Sequence, residues 1–254
     1  MMNTINVTIK DRLALITLNR NKSNALNREM ITELNDMLHN IANDANIGGA
    51  IITGREHFFS AGLDLIELYG YNEEEIRSFW LLFLEFTSNI TAFKKPLVAA
   101  INGHAPAGGC VIALACDGRV MAEGKYIIGL NEVPVGIIVP DSIFKLYAFW
   151  LGSAHACRSL LEGKLFSPEE ALTIGLVDEL VNPDSIMTAA ERRIRKYMAF
   201  EPNTWQQSKL NIRKELIAGM SADQSQTLDM MITQWWSPAT RGLLKMIIDN
   251  LQKK

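Results

Sequence analysis

The order of predicted elements points to an α/β protein, a core of alternating short strands and helices followed by an α-helical C-terminal region. Two short runs, 49–53 and 97–101, are apolar throughout and bounded by Gly54 and Pro96. Strands buried on both faces read this way. A long amphipathic pattern at 73–93 separates them, and from Asp141 onward the apolar spacing is almost wholly helical.

Residues 5–8 and 13–18 read as a hairpin around the polar pair Asp11-Arg12. Asn27 stands at the N-cap of a helix reaching to about residue 43, with Met30, Leu34, Met37, Leu38 and Ile41 at helical spacing. A loop at 55–62 and a short helix from about Asp64 follow the first buried strand. The 73–93 helix turns Ile76, Trp80, Phe83, Leu84 and Ile90 inward. A small-residue turn at 103–109 leads into an apolar helix at 110–116, with strands expected at 119–122 and 126–129. Short β-β-α units recur, and a spiral of such units is compatible with the pattern. A division near residue 190 separates a core, 1–190, from a helical region, 191–254.

With 254 residues, 48% of them hydrophobic, the chain can bury one large core and is not disordered. A net charge of −3 without basic blocks argues against nucleic acid or an anionic membrane as partner. Cys110, Cys116 and Cys157 form no C-x-x-C pair, which argues against disulfides and zinc and for a reducing compartment. The first eleven residues carry no apolar h-region, and no stretch is apolar enough to span a bilayer. The expectation is a cytoplasmic protein, or a mitochondrial-matrix one if the source is eukaryotic and a leader has been removed.

Three features carry chemistry. In Phe58-Phe59-Ser60-Ala61-Gly62-Leu63-Asp64, small residues let backbone approach a ligand and Gly62 permits a turn that aligns successive N–H groups. Asp64 suits the N-cap of the next helix. A tight strand-to-helix connection would use the same residues. In the stretch 100–110, a buried strand runs through Gly103, Gly108 and Gly109 into a helix, whose free N–H donors would stabilise a developing anion. No Walker Lys-Ser/Thr and no G-x-G-x-x-G is present, so an enolate oxygen suits the turn better than a nucleotide phosphate. Close helix–strand packing also uses such glycines. Third, Glu132 interrupts the apolar stretch 128–138. Desolvation there would raise its pKa toward the range of proton transfer, though a helix cap or an Arg partner is equally open.

These features, in this order and at these separations, resemble the crotonase (enoyl-CoA hydratase/isomerase) superfamily, over residues 13–181. The stretches 59–65, 100–117 and 128–138 are especially similar to mitochondrial-type Δ3,Δ2-enoyl-CoA isomerases. They carry Ser-Ala-Gly-Leu-Asp-Leu, Ala-Ile-Asn-Gly before Pro-Ala-Gly-Gly-Cys, and Gly-Leu-Asn-Glu. Pro168 to Leu172 and Gly175 to Asp178 also match the family.

The resemblance implies a spiral of ββα units and an acyl-CoA thioester as substrate, with no separate cofactor because coenzyme A is part of that substrate. It makes the N–H groups of Leu63 and Gly108 an oxyanion hole, with Glu132 as catalytic base and Asn131 against the acyl portion. Ala61, Gly62, Asp64 and Leu65 would line the coenzyme A site, and the early loop with Lys22 and Ala25 would pass its phosphates. It also implies a homotrimer or dimer of trimers formed through the C-terminal helices. Hydratases of the family use two glutamates, and the position of the first is Val111 in this chain. One carboxylate is enough to move a proton from C2 to C4, so the resemblance implies an isomerase. A hydratase, another crotonase-type enzyme, or a non-catalytic acyl-CoA- or RNA-binding member are the alternatives.

Other polar residues read as structural. Cys110 has no histidine marking it as a nucleophile, and Cys116 and Cys157 read as core. His104 suits a structural hydrogen bond, and the scattered His39, His57 and His155 suggest no metal site. Glu67 is the acid nearest the first turn and is weighed as a second base. Trp205, Trp235 and Trp236 are expected to pack helices or an interface.

Overall fold

A computed structural model describes residues 2–253. Strands β1 (Ile5–Lys10) and β2 (Leu13–Leu18) form an antiparallel hairpin with Ile5 opposite Leu18. Its turn residues Asp11 and Arg12 both have positive φ (49° and 65°), the sense that matches strand twist. Helix α1 (Arg28–Asn43) starts where expected, the Asn27 side chain accepting from Met30 N–H and satisfying one free donor of the first turn. Strand β3 (Gly49–Thr53) is buried along its whole length. Strand β4 (His57–Phe58), helix α2 (Leu65–Tyr69) and helix α3 (Glu73–Thr91) follow. Asn72 and Glu75 close a capping box at the start of α3.

The next two turns repeat the plan. Strands β5 (Leu97–Ile101) and β6 (Gly103–Pro106) lead to helix α4 (Gly108–Ala115), and β7 (Gly118–Ala122) and β8 (Ile128–Gly129) lead to helix α5 (Asp141–Leu151). Each ββα unit gives one strand to each of two sheets. One sheet has the order β4-β6-β8. The other is β1-β2-β3-β5-β7-β9, parallel beyond the hairpin. Helix α6 (Ser153–Glu162) and helix α7 (Pro168–Thr173) precede β9 (Glu179–Val181). Then come α8 (Ile186–Met198), α9 (Pro202–Ile212), α10 (Lys214–Met220), α11 (Ser225–Trp235) and α12 (Pro238–Leu251).

The larger sheet is covered on both sides, which explains its uninterrupted apolar strands. Ile51, Val98, Ala100 and Val120 face Ile186, Ala190 and Ile194 of α8, while Ile52, Leu97, Ala99, Ile101 and Met121 face the main core. The 190/191 division therefore falls inside a helix that packs on the sheet. The C-terminal helices turn their apolar stripes onto their own chain: Leu228, Met231, Ile232, Trp235 and Leu244 all belong to the main core.

Several expectations are corrected. The segment 103–109 contains a strand, because Gly103 lies so close to β4 that a Cβ would sit 2.1 Å from His57 O. The strand expected at 126–129 is reduced to two residues, and one short strand, β9, lies among the helices after Asp141 and pairs with β7, while the described residues beyond 191 are helical as expected. Cys157 is exposed, on the outer face of α6, and is not core.

A buried ionic cluster fastens the C-terminal helices to the sheet. Asp117 pairs with Lys209 at 2.8 Å and Arg213 at 3.2 Å, all three side chains nearly inaccessible. Asp117 also accepts from Leu97 N–H, and Arg213 donates to the carbonyls of Thr91, Ala115 and Cys116, at the C-terminal ends of α3 and α4. Burial pulls the Lys209 pKa down while the Asp117 charge opposes it. Removing one partner leaves Asp117 charged and only partly compensated. Lys209→Met should lower unfolding stability by about 3 kcal/mol in urea titration, and adding Asp117→Asn should recover part of that loss.

Candidate active site

The site forms where three segments meet. The early loop is stitched to the first glycine turn: Ala61 N–H donates to Ser23 O, Leu26 N–H to Gly62 O and Asp64 N–H to Leu26 O, at 2.8–2.9 Å. Asn24 donates to Phe58 O and Phe59 O, and Ser60 Oγ donates to Asn24 O. Gly62 has φ +87°, and a Cβ there would lie 2.8 Å from Ala107 Cβ. The turn therefore needs glycine for both its conformation and its contact with the second turn.

The second turn bends at Ala107, a non-glycine residue with φ 50°, whose N–H donates to Gly129 O at 2.8 Å. That bend lets α4 begin at Gly108 directly against Gly62: a Cβ on Gly108 would lie 3.4 Å from Gly62 Cα and 2.9 Å from Leu26 Cδ1. Among the described residues, no acceptor takes up the N–H of Leu63 or of Gly108. Two free donors thus sit on adjoining turns, one at a helix N-terminus with its positive dipole end.

Glu132 comes from the segment after β8. Its carbonyl accepts from Val135 N–H (3.1 Å) and Ile137 N–H (3.0 Å), so a 3-10 turn at Val133–Val135 fixes its backbone. The residue is partly exposed, but Oε2 is buried and accepts no hydrogen bond among the described residues. Burial raises the carboxyl pKa to about 7, opposed by a hydrogen bond from its own backbone N–H.

A cavity of about 590 Å³ joins these parts. Lys22, Ala25, Ala61, Leu63, Asp64, Leu65, Asn131 and Glu132 all line it. Gly62 and Gly108 bring the two turns beside it together. Val111 is buried inside α4. The Asp64 carboxylate caps α2 through Glu67 N–H and pairs with Arg20 at 2.7 Å, which makes its side chain part of the scaffold. Glu67 binds Arg20, Asn27 and Tyr71, and those bonds hold it in the same scaffold instead of freeing it as a second base. His104 Nδ1 accepts from Ile127 N–H, as expected of a structural histidine.

Arg20, Ile137 and Ile247 also shape the site and were not named as site residues, and Ala107, within the marked turn, was not given a role of its own. Ile137 lies inside the apolar stretch around Glu132, and Ile247 comes from distant α12, so neither has a local chemical signal. Ala107 carries its special backbone without a glycine. Arg241 pins α12 in place, donating to Tyr69 O and stacking 3.4 Å over the Tyr69 ring.

Comparison with known proteins agrees with this geometry. The family model described as enoyl-CoA hydratase/isomerase matches residues 8–241. Mouse enoyl-CoA delta isomerase 1, mitochondrial, is 35% identical over 95% of this chain and 84% of its own length. A short-chain-enoyl-CoA hydratase of Clostridium acetobutylicum is 31% identical over 87% of this chain and 84% of its own. The crystal structure of human mitochondrial delta3-delta2-enoyl-CoA isomerase superposes with a TM-score of 0.95, at 31% identity and over 99% of both chains. The expectation of a cytoplasmic protein is corrected by these isomerases, which are mitochondrial. The matched residues, the paired sheets of ββα units and the joined glycine turns place the chain in the enoyl-CoA hydratase/isomerase family.

Proposed function

We propose that this protein is a Δ3,Δ2-enoyl-CoA isomerase that converts 3-enoyl-CoA to trans-2-enoyl-CoA through Glu132. The observation that carries this reading is one buried carboxylate of raised pKa in a cavity shared with two turns bearing free N–H groups. The thioester oxygen accepts from Leu63 N–H and Gly108 N–H. Ionised Glu132 takes the C2 proton, breaking C2–H and forming the carboxylic acid, and the electron pair spreads over a dienolate. The same acid then returns the proton to C4. Charge on the thioester oxygen grows only as the proton leaves, so the two donors act mainly on the transition state, each worth about 3 kcal/mol. A carboxyl of pKa about 7 suits both halves of the cycle, base first and acid second.

Lys22, exposed at the cavity, is placed to meet phosphates of coenzyme A, with Ala25, Ala61, Gly62 and Leu65 along its path. The apolar wall of Val135, Ile137 and Ile247, with Asn131 beside Glu132, suits the acyl portion. Hydration is the second reading, favoured by the likeness to the clostridial hydratase. The apolar Val111 opposes it, because water then has only Glu132 to activate it. Assembly as a homotrimer or dimer of trimers is supported by an apolar surface pocket beside the site, where Leu161 is 69% exposed and Val133 42%. Sedimentation of the purified protein should give a trimer or a multiple of it. A monomer at micromolar concentration contradicts that assembly.

Glu132→Gln should keep KM within about twofold and lower kcat about 10³-fold or more, followed by absorbance of the conjugated thioester. Activity within tenfold of wild type defeats the assignment, as does rapid hydration of crotonyl-CoA without isomerisation. Because the base must be ionised, kcat/KM of the wild type should rise with pH to a plateau, with a midpoint near 7.

The same shift sets a stability trend. The folded pKa lies above the unfolded value, so folding favours neutral Glu132. That contribution is complete below about pH 4.5 and is lost as pH rises through about 7. Glu132→Gln cannot ionise, so its stability relative to wild type should increase between pH 5 and 8. Urea unfolding at several pH values checks this, and a pH-independent difference contradicts it.

A further inference from the structure

A second cavity, of about 310 Å³, opens at the other end of the parallel strands. Arg12, Gly48 and Pro96 line it and stand immediately before β2, β3 and β5, whereas the catalytic turns follow β3 and β5. Strands β3 and β5 are five residues long, so about 16 Å of sheet separates the two ends, and no residue lines both cavities. Part of the lining is aromatic. Tyr197 at the end of α8 stacks on Trp205 of α9 with ring centroids 4.6 Å apart, and Phe200 lies 6.1 Å from the same indole at a 15° tilt. The Trp205 indole N–H is buried and has no acceptor among the described residues. Ile47, Pro96 and Met198 continue the apolar surface.

The charges are all of one sign. Arg12, Lys94 and Lys95 line the cavity, and no Asp or Glu does. Lys95 Nζ donates to the carbonyls of Ile41 and Asp44 at 2.6 and 2.7 Å, which fixes its position. Arg12 and Lys94 are exposed and have no ion-pair or side-chain hydrogen-bond partner among the described residues. Of the neighbouring acids, Asp11 is exposed in the hairpin turn, Asp44 accepts from Asn46 N–H, and Glu201 caps α9 through Asn203 N–H and Thr204 N–H. The aromatic wall is anchored too. Trp205 and Lys209 stand four residues apart on one face of α9, and Lys209 Nζ donates to Lys95 O at 3.1 Å and to buried Asp117 at 2.8 Å.

Each feature asks for a different part of one ligand. Unopposed positive charge selects an anion, and stacked rings suit a flat apolar body. The orphaned indole N–H needs an acceptor oxygen. The volume is at the small end for ligand cavities, room for one or two rings. We propose that this cavity is a second ligand site, apart from the catalytic one, that takes a small aromatic carboxylate. The carboxylate meets Arg12 and Lys94, the rings pack on Tyr197, Phe200 and Trp205, and a ligand oxygen accepts from the indole N–H. The site does not depend on the isomerase reading.

Isothermal titration of the full chain with 1-naphthoate, with no acyl-CoA present, tests this. It should bind once per chain with a Kd near or below about 1 mM, the range for a ligand of this size. Affinity should fall as salt rises, because Arg12 and Lys94 are exposed. Arg12→Gln and Lys94→Gln should each weaken binding about three- to fivefold. Trp205→Phe keeps a ring, removes the N–H and should weaken binding about fivefold. The alcohol 1-naphthalenemethanol has nearly the same shape without the charge and should bind at least about tenfold more weakly. Octanoate, an anion with no ring, should also bind more weakly than naphthoate. No saturation by about 10 mM naphthoate overturns the proposal. So does binding that Arg12→Gln and Lys94→Gln both leave unchanged, which places the ligand elsewhere. Equal affinity for the neutral alcohol marks an unselective apolar surface and overturns it as well, and equal affinity for octanoate overturns the aromatic class.

Discussion

The contact between Gly62 and the Ala107–Gly108 bend is the constraint on which the site depends. A Cβ on either glycine would meet the opposite turn or Leu26 at 2.8–2.9 Å, so the backbones can approach this closely only without side chains. That approach puts Leu63 N–H and Gly108 N–H on adjoining turns, each with no acceptor among the described residues. The rest of the fold holds it in place. Strand β6 is pinned between β4 and β8, the early loop is bonded to the first turn, and Ala107 N–H is anchored on Gly129 O. Preorganised donors of this kind need no rearrangement when charge develops on a ligand oxygen.

The second requirement is a carboxylate held where water reaches it poorly. Glu132 has a buried oxygen with no partner among the described residues, a cost in folding that the surrounding core absorbs. The positive φ of Ala107 and the orphaned Oε2 meet at the walls of one cavity. By contrast, the acids that follow the first glycine turn are engaged in hydrogen bonds and ion pairs. Asp64 and Glu67 share Arg20 and cap or brace α2. Asp64 and Glu67 thus differ from Glu132 in hydrogen bonding.

Much of this was legible in the sequence. The strands at 49–53 and 97–101, the Asn27 cap and the helix after Gly108 follow from local chemistry, and they appear within a residue or two of their expected bounds. Both glycine turns and Glu132 stood out because small residues and a lone acid interrupt apolar runs. What stayed hidden depends on distant chain segments. Two-residue strands such as β4 and β8 exist only through their neighbours, and β9 is defined by pairing with β7. Ile247 joins the cavity through the packing of α12, and Cys157 faces outward because of how α6 lies on its neighbours. No periodicity within a single segment reports such contacts. The division at residue 190 failed to respect α8 for the same reason, since only the sheet shows where that helix packs.

The central claim is that one carboxylate carries one proton from C2 to C4. The most direct measurement follows that proton: a 3-enoyl-CoA deuterated at C2 is converted in ordinary water under single-turnover conditions, and the product is analysed for label at C4. A buried acid of raised pKa should return part of the deuterium to C4 before it exchanges with solvent. Complete loss of label to water, with C4 carrying only solvent hydrogen at the earliest times, would contradict a lone proton shuttle at Glu132.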